Sequence, residues 1–306
     1  MKNRIRNLYN IDPISIVKIS DKCYKILSKE STFILKNVES LKNENIYTRL
    51  EISKVPLFHL PLKSSNERYV EEINHQYYIL SYFLKDNIDS YIDKKMNLYI
   101  KAISFLHQNT ILPLKVNDGY FKESIDYLTN KILLTKDKID ERISLIERMD
   151  YHSPSDWYYI SIYHIFNDAI SNANKYLDLL NEEFKTLQSI ELSLTYQNYQ
   201  NEHILLKEEK IVSLEKMSYA PPIYDLVDFV EKNYNQNIDT SKYIEQYFNL
   251  NSLNLYYKYW LLALLFVPKI EKDSDDLKDI ESLYLSLNYL KVVEHIKSSL
   301  LQTESE

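Results

Sequence analysis

Apolar and polar residues alternate over residues 14–38 with the period of two expected of strands. Two runs, Cys23-Tyr24-Lys25-Ile26-Leu27 and Thr32-Phe33-Ile34-Leu35-Lys36, flank the polar Ser28-Lys29-Glu30-Ser31 and predict a β-hairpin. Residues 43–52 read as a helix, and Pro56 and Pro61 punctuate an extended stretch. Residues 68–73 and 77–83 predict two more strands around Asn74-His75-Gln76. From Asp89 the period lengthens, and Met96, Tyr99, Ile100, Ile103 and Leu106 fall on one helical stripe. Asn117-Asp118-Gly119 reads as a turn. Helical spacing then covers residues 121–149 and 155–187, the second opened by Ser153-Pro154-Ser155. It resumes over 223–234, 241–248, 253–266 and 275–301, before a polar tail at 302–306. Residues 192–214 interrupt it with short apolar runs and polar breaks, the pattern of a loop and hairpin.

This pattern predicts an α+β chain of two lobes. Residues 1–85 form a small sheet-containing lobe, and residues 86–306 a large, mostly helical one, with a junction at 82–89. An irregular segment, 192–226, is embedded in the helical lobe, and an irregular stretch among helices is where a site is expected.

Composition narrows the chemistry. In 306 residues there is one glycine, Gly119, which disfavours a glycine-lined phosphate loop because side chains keep the backbone away from phosphate oxygens. The 28 tyrosines carry no functional weight by themselves. A net charge of −7 argues against a nucleic-acid partner. The single Cys23 excludes an internal disulfide and a cysteine zinc cluster. The first ten residues are polar, unlike a signal peptide, and the longest apolar run, 259–267, is too short to cross a bilayer. The expectation is a soluble, cytoplasmic protein without a membrane partner.

The embedded segment carries a more specific pattern. Tyr196-Gln197-Asn198 precedes His203-Ile204-Leu205-Leu206, then Ser213-Leu214-Glu215, then Pro221-Pro222-Ile223-Tyr224-Asp225-Leu226. This order resembles the catalytic loop, metal loop and helix-opening aspartate of the aminoglycoside phosphotransferase and choline kinase superfamily. Within it, the chain looks most similar to spore-coat CotS-type kinase-like proteins. Phe33-Ile34-Leu35-Lys36 looks like the strand with the phosphate-contacting lysine, residues 77–83 like the hinge strand, and Leu106-His107 like a family helix end. The resemblance spans roughly residues 14–270. It implies a bilobal protein-kinase-like fold, a nucleotide site at Lys36, Glu51 and Glu215, and a Lys36 ion pair with Glu51 or Glu44.

The same alignment implies a degenerate site. The loop histidine falls on Tyr196, the catalytic aspartate on Asn198, the metal-binding asparagine on His203 and the metal aspartate on Ser213. An amide cannot accept the proton of an attacking hydroxyl, and Mg²⁺ prefers anionic oxygen to a neutral hydroxyl or a ring nitrogen. No intact catalytic residue, no metal ligand set and no resident cofactor are therefore expected. The first reading is a pseudokinase acting through an unidentified protein partner or a ligand, with a spore-coat role implied by the resemblance alone. One alternative is an active small-molecule phosphotransferase using ATP and Mg²⁺, with displaced carboxylates at Glu202 or Glu215. Another is a nucleotide-binding switch without turnover. A plainer reading of Asn198 and His203 is a loop whose polar groups satisfy each other. Asp225 is expected to cap its helix, and His107 to be packed.

Overall fold

The computed structural model describes residues 1–85, 91–115 and 118–302. In chain order the elements begin α1 (Lys2–Tyr9), β1 (Ser15–Ser20), β2 (Cys23–Leu27), β3 (Thr32–Val38), α2 (Lys42–Ile52), β4 (Val70–Ile73), β5 (Gln76–Tyr82) and α3 (Ile92–Asn109). They continue with β6 (Leu112–Lys115), α4 (Asp118–Glu147), α5 (Pro154–Phe184), β7 (Ser189–Thr195), β8 (Ile204–Leu205), β9 (Lys210–Ile211) and β10 (Ser218–Ala220). Helices α6 (Ile223–Asn233), α7 (Ser241–Leu250), α8 (Leu255–Leu265) and α9 (Asp276–Gln302) complete the order. Residues 86–90, which include the last four of the predicted junction, lie outside the described residues, as do Asn117 of the predicted turn and residues 303–306 of the tail. Asp118 and Gly119 open α4.

By packing, the chain forms two compact units. One holds Met1–Ile111 and Ser193–Pro222, the other Leu112–Leu192 and Ile223–Glu306. The sequence division at residue 85 follows element type, whereas these units follow contacts. The embedded loop segment packs with the sheet.

The first unit is built on an antiparallel sheet in the order β1-β2-β3-β5-β4. Alternation places Ile26, Phe33, Leu35, Tyr78 and Leu80 on its core face. The polar N-terminal segment proves to be a helix, α1. It buries Ile5 fully and sets Leu8 and Tyr9 against the same core, an i, i+3, i+4 face too short to stand out in the sequence. The hairpin predicted around Ser28–Ser31 is present as β2 and β3, with Leu27 opposite Thr32, and a further turn precedes it, Asp21-Lys22, closed by Ser20 opposite Cys23. Neither turn contains glycine.

Scarce glycine also forces side chains into left-handed backbone. Asn74 (φ 52°) and His75 (φ 61°) form the two-residue turn between β4 and β5. Two positive φ angles define the turn type that favours Asn-Gly. His75→Gly should therefore stabilise the protein by about 1 kcal/mol, since a left-handed non-glycine residue costs about 1–2 kcal/mol before the entropy of glycine is deducted. Urea denaturation reads this as a higher midpoint at unchanged slope, and an unmoved or lower midpoint would refute it.

The second unit is helical. α5 starts at a capping box in which the Ser153 hydroxyl accepts from Asp156 N–H and the Asp156 carboxylate accepts from Ser153 N–H. α5 packs on α8 through aromatic side chains, with Phe184 edge-on to Trp260 at 5.4 Å. Asp225 is fully buried in the first turn of α6. β6 was not predicted because Pro113 breaks its pattern. It pairs with residues 189–192 of β7, and proline is tolerated there because β6 is an edge strand. Among the described residues, no helix is long and apolar enough to cross a membrane.

Candidate functional site

Every residue of the candidate site belongs to the first unit. The strand period puts Ile34 and Lys36 of β3, and Ile79 and Ser81 of β5, on the sheet face opposite the core. They line a cavity of about 480 Å³ with Ile19, Leu205 and the segment 82–84. That volume falls in the range of small-molecule pockets. The wall formed by residues 82–84 is partly engaged. Phe83 N–H donates to the Thr32 carbonyl at 2.9 Å, and His59 Nε2 lies 3.3 Å from the Tyr82 carbonyl oxygen. Burial holds the His59 pKa below its usual value.

The loop side of the cavity is held by α3. Tyr99 packs against Tyr196 and Tyr199, with ring centroids at 6.1 and 4.7 Å. Lys95 Nζ donates to the Asn201 carbonyl at 2.9 Å, and the Thr110 hydroxyl accepts from Leu194 N–H at 3.0 Å. β7 and β10 pair at residues 193–195 and 218–220, which brings the two ends of the segment together.

Tyr196 is fully buried, and its hydroxyl donates to the Val212 carbonyl at 2.7 Å. His203 Nδ1 lies 3.1 Å from that hydroxyl and 3.0 Å from the Asn198 carbonyl oxygen. A carbonyl oxygen only accepts, so Nδ1 carries the ring proton. Burial lowers the His203 pKa, and the nearby Lys36 charge lowers it further, so the ring is neutral at pH 7. Asn198 is 5% exposed, and its Nδ2 donates to the Ser213 carbonyl at 3.0 Å. Tyr196, Asn198 and His203 thus engage one another and the loop backbone, whereas the Ser193 hydroxyl and Glu215 Oε2 are buried without a hydrogen-bond partner.

Lys36 departs from expectation. Its ammonium pairs with Glu215 Oε1 and lies 3.4 Å from the Ser213 hydroxyl. It does not pair with Glu51 or Glu44. Glu51 pairs with Lys63 at 2.8 Å, an ion pair that lowers the Glu51 pKa. Glu44 accepts from Tyr69 N–H and Val70 N–H at 2.9 and 2.8 Å, tying α2 to β4. With its helix carboxylates so engaged, Lys36 turns to the loop. The main-chain carbonyl of Glu215 accepts from Asn43 Nδ2 of α2 at 3.0 Å, which fixes the partner in place. The structure therefore gathers Lys36, Asn198, His203, Ser213 and Glu215, and leaves Glu51 outside. Glu202 also lines the cavity. The Lys36–Glu215 pair was missed, although the acidic Glu215, two positions after Ser213 in the segment that carries the resemblance, was a usable signal.

A protein-held Mg²⁺ does not fit these groups. The cation wants several hard oxygens. Ser213 is neutral and sits against an ammonium, and Glu215 offers one carboxylate, with Oε1 paired to Lys36 and only Oε2 left without a hydrogen-bond partner. Among the described residues, no three His, Cys, Asp or Glu side chains cluster as a metal site.

No protein-family model matches the chain, and no curated protein matches it. Solved structures do. An aminoglycoside phosphotransferase from Alicyclobacillus acidocaldarius is similar with a TM-score of 0.69 at 8% identity, over 97% of this chain and 95% of that one. The AMP-bound spectinomycin phosphotransferase is similar with a TM-score of 0.52 at 15% identity, over 96% of each chain. At these identities the likeness is one of fold. The chain has the protein-kinase-like fold of the aminoglycoside phosphotransferases, with an antiparallel-sheet N-terminal part and a mostly helical C-terminal part.

Proposed function

We propose that the protein binds a nucleotide-like ligand in the cavity between the sheet and the loop segment, with the base among Ile34, Ile79 and Leu205. The carrying observation is that this cavity of about 480 Å³ combines those apolar walls with a single ammonium, Lys36. An incoming phosphate must compete with Glu215 for that ammonium, so phosphate contributes less to affinity here than beside an unpaired lysine.

Two readings follow for chemistry after binding. The fold likeness to proteins named as phosphotransferases supports phosphoryl transfer to a small molecule better than it supports the loss of transfer. Under this reading Glu202 and Glu215, the carboxylates lining the cavity, take the roles of the missing aspartates. Residue chemistry supports the impaired reading. Asn198 is an amide already committed to the Ser213 carbonyl, and transfer needs a carboxylate to accept the attacking hydroxyl's proton. Under the impaired reading the fold serves to bind a protein partner or the ligand itself. A spore-coat setting rests on the motif resemblance alone.

Thermal denaturation with adenosine, ADP and ATP, each with and without Mg²⁺, tests binding. Saturation at about 100 times Kd should add about 2.7 kcal/mol and raise Tm. Stabilisation by at least one of the three is expected, with little gain from Mg²⁺. No shift with any of them would overturn the proposal. ADP release in the presence of spectinomycin, abolished by Glu215→Gln or Glu202→Gln, would decide for transfer.

A further inference from the structure

A second cavity, of about 1050 Å³, opens on the other side of the Lys36–Glu215 pair, between α2, the end of β3 and residues 215–219. Its lining is strongly cationic in a protein of net charge −7. Lys22, Lys36, Lys42, Arg49 and Lys216 line it, against the carboxylates Glu39 and Glu215. Both carboxylates are already matched, Glu39 by Lys22 at 3.1 Å and Glu215 by Lys36. Among the described residues, Lys42, Arg49 and Lys216 have no carboxylate partner. The Arg49 Nε is also buried with no hydrogen-bond partner there. A buried guanidinium N–H without an acceptor is uncommon in a folded protein, because losing its hydrogen bond to water is costly.

Three uncompensated cations around one concavity repel one another, and an anion placed among them relieves that repulsion. The neutral lining adds donors that suit phosphate oxygens, including the Ser40 and Ser218 hydroxyls and the Asn45 amide. We propose that this cavity is a binding site for a small phosphorylated molecule carrying at least two anionic groups, held by Lys42, Arg49 and Lys216. The site is distinct from the nucleotide cavity, because none of those three residues lines the latter. The two share Lys36 and Glu215 as a common wall. An anion in one and a nucleotide phosphate in the other draw on the same ammonium, so each weakens the other by the same factor.

Calorimetric titration of the full chain with inorganic pyrophosphate tests the site. Wild type should bind, and Lys42→Gln with Lys216→Gln should raise Kd by about tenfold or more, the loss expected on removing charge-assisted hydrogen bonds. Arg49→Gln should act in the same direction. These surface lysines are not needed for the core, and an unchanged Tm would verify that the lysine variant folds. Ser81→Trp, which fills the nucleotide cavity, should leave pyrophosphate binding within about twofold. Two results would overturn the proposal: no binding by wild type in low salt, or binding untouched by the lysine pair. Loss on Ser81→Trp alone would place the anion in the nucleotide cavity and likewise overturn it. The nucleotide reading has its own readout, the adenosine-induced Tm shift in the lysine variant, so the two proposals can fail separately.

Discussion

Asn198→Asp, which places a carboxylate where the motif resemblance expects a catalytic aspartate, should destabilise the protein by about 3 kcal/mol at pH 7 without creating activity. Asn198 is 5% exposed, and its Nδ2 donates to the Ser213 carbonyl at 3.0 Å. A carboxylate there would set an anionic oxygen against a carbonyl oxygen, with no donor between them. The protonated acid, by contrast, can donate to that carbonyl. The folded protein would therefore hold the new proton more tightly than the unfolded chain, and the new carboxyl's pKa would rise on folding. The sign of the pH dependence follows. Below about pH 4, the ordinary aspartate range, both states are protonated and the variant should approach wild-type stability. As pH rises toward and through the elevated folded pKa, the unfolded state loses its proton first and stability falls. Urea titrations between about pH 4 and pH 7 should show the gap between variant and wild type widening. A gap that narrows with rising pH would refute the geometry at Asn198. Adding Ser213→Asp should not rescue transfer, because a carboxylate at that position would compete with Glu215 for Lys36, and the Asp21-Lys22 turn lacks glycine. ADP formation by the double variant well above wild type would show that the site is closer to an active one than its contacts imply.

The largest loss of stability is expected in the helical unit, from Asp279→Ala. Arg142 and Asp279 form a two-pronged ion pair with side chains 5% and 0% exposed. The guanidinium also stacks on the Tyr159 ring at 4.3 Å, and Asp279 Oδ1 accepts from Asp273 N–H at 3.3 Å. Removing one partner leaves a buried charge uncompensated, which costs about 3–5 kcal/mol. Replacing both, as Arg142→Met with Asp279→Leu, should cost clearly less, because the desolvation of both charges disappears together with their attraction. Since water and ions do not reach the pair, the loss should be nearly the same in low and high salt. Chemical denaturation of the two variants in both conditions measures this. A loss of about 1 kcal/mol or less for Asp279→Ala would mean that the pair is solvated in practice.

The amino-acid sequence by itself determined most of the element order and the class of fold. Those signals are local or periodic: strand alternation over 14–38, helical stripes from 92 onward, the Ser153-Pro154 start of α5, and the spacing from Tyr196 to Asp225. It also raised, through the motif resemblance, the expectation that Tyr196, Asn198, His203 and Ser213 stand where acidic and metal-binding side chains would, since acidity and metal preference are properties of the side chain itself. It did not reveal α1, whose short apolar face becomes visible only against the sheet it covers. Nor did it reveal which carboxylate meets Lys36. Glu44, Glu51 and Glu215 are equally acidic in a string of letters. The choice depends on distances of a few ångströms between β3, α2 and a loop 179 residues further along the chain. Only tertiary packing sets those distances, by tying Glu44 to β4 amides, Glu51 to Lys63 and the Glu215 backbone to Asn43. For the same reason the cationic cavity beside the pair was invisible in the sequence, since Lys22, Lys42, Arg49 and Lys216 become neighbours only through the fold.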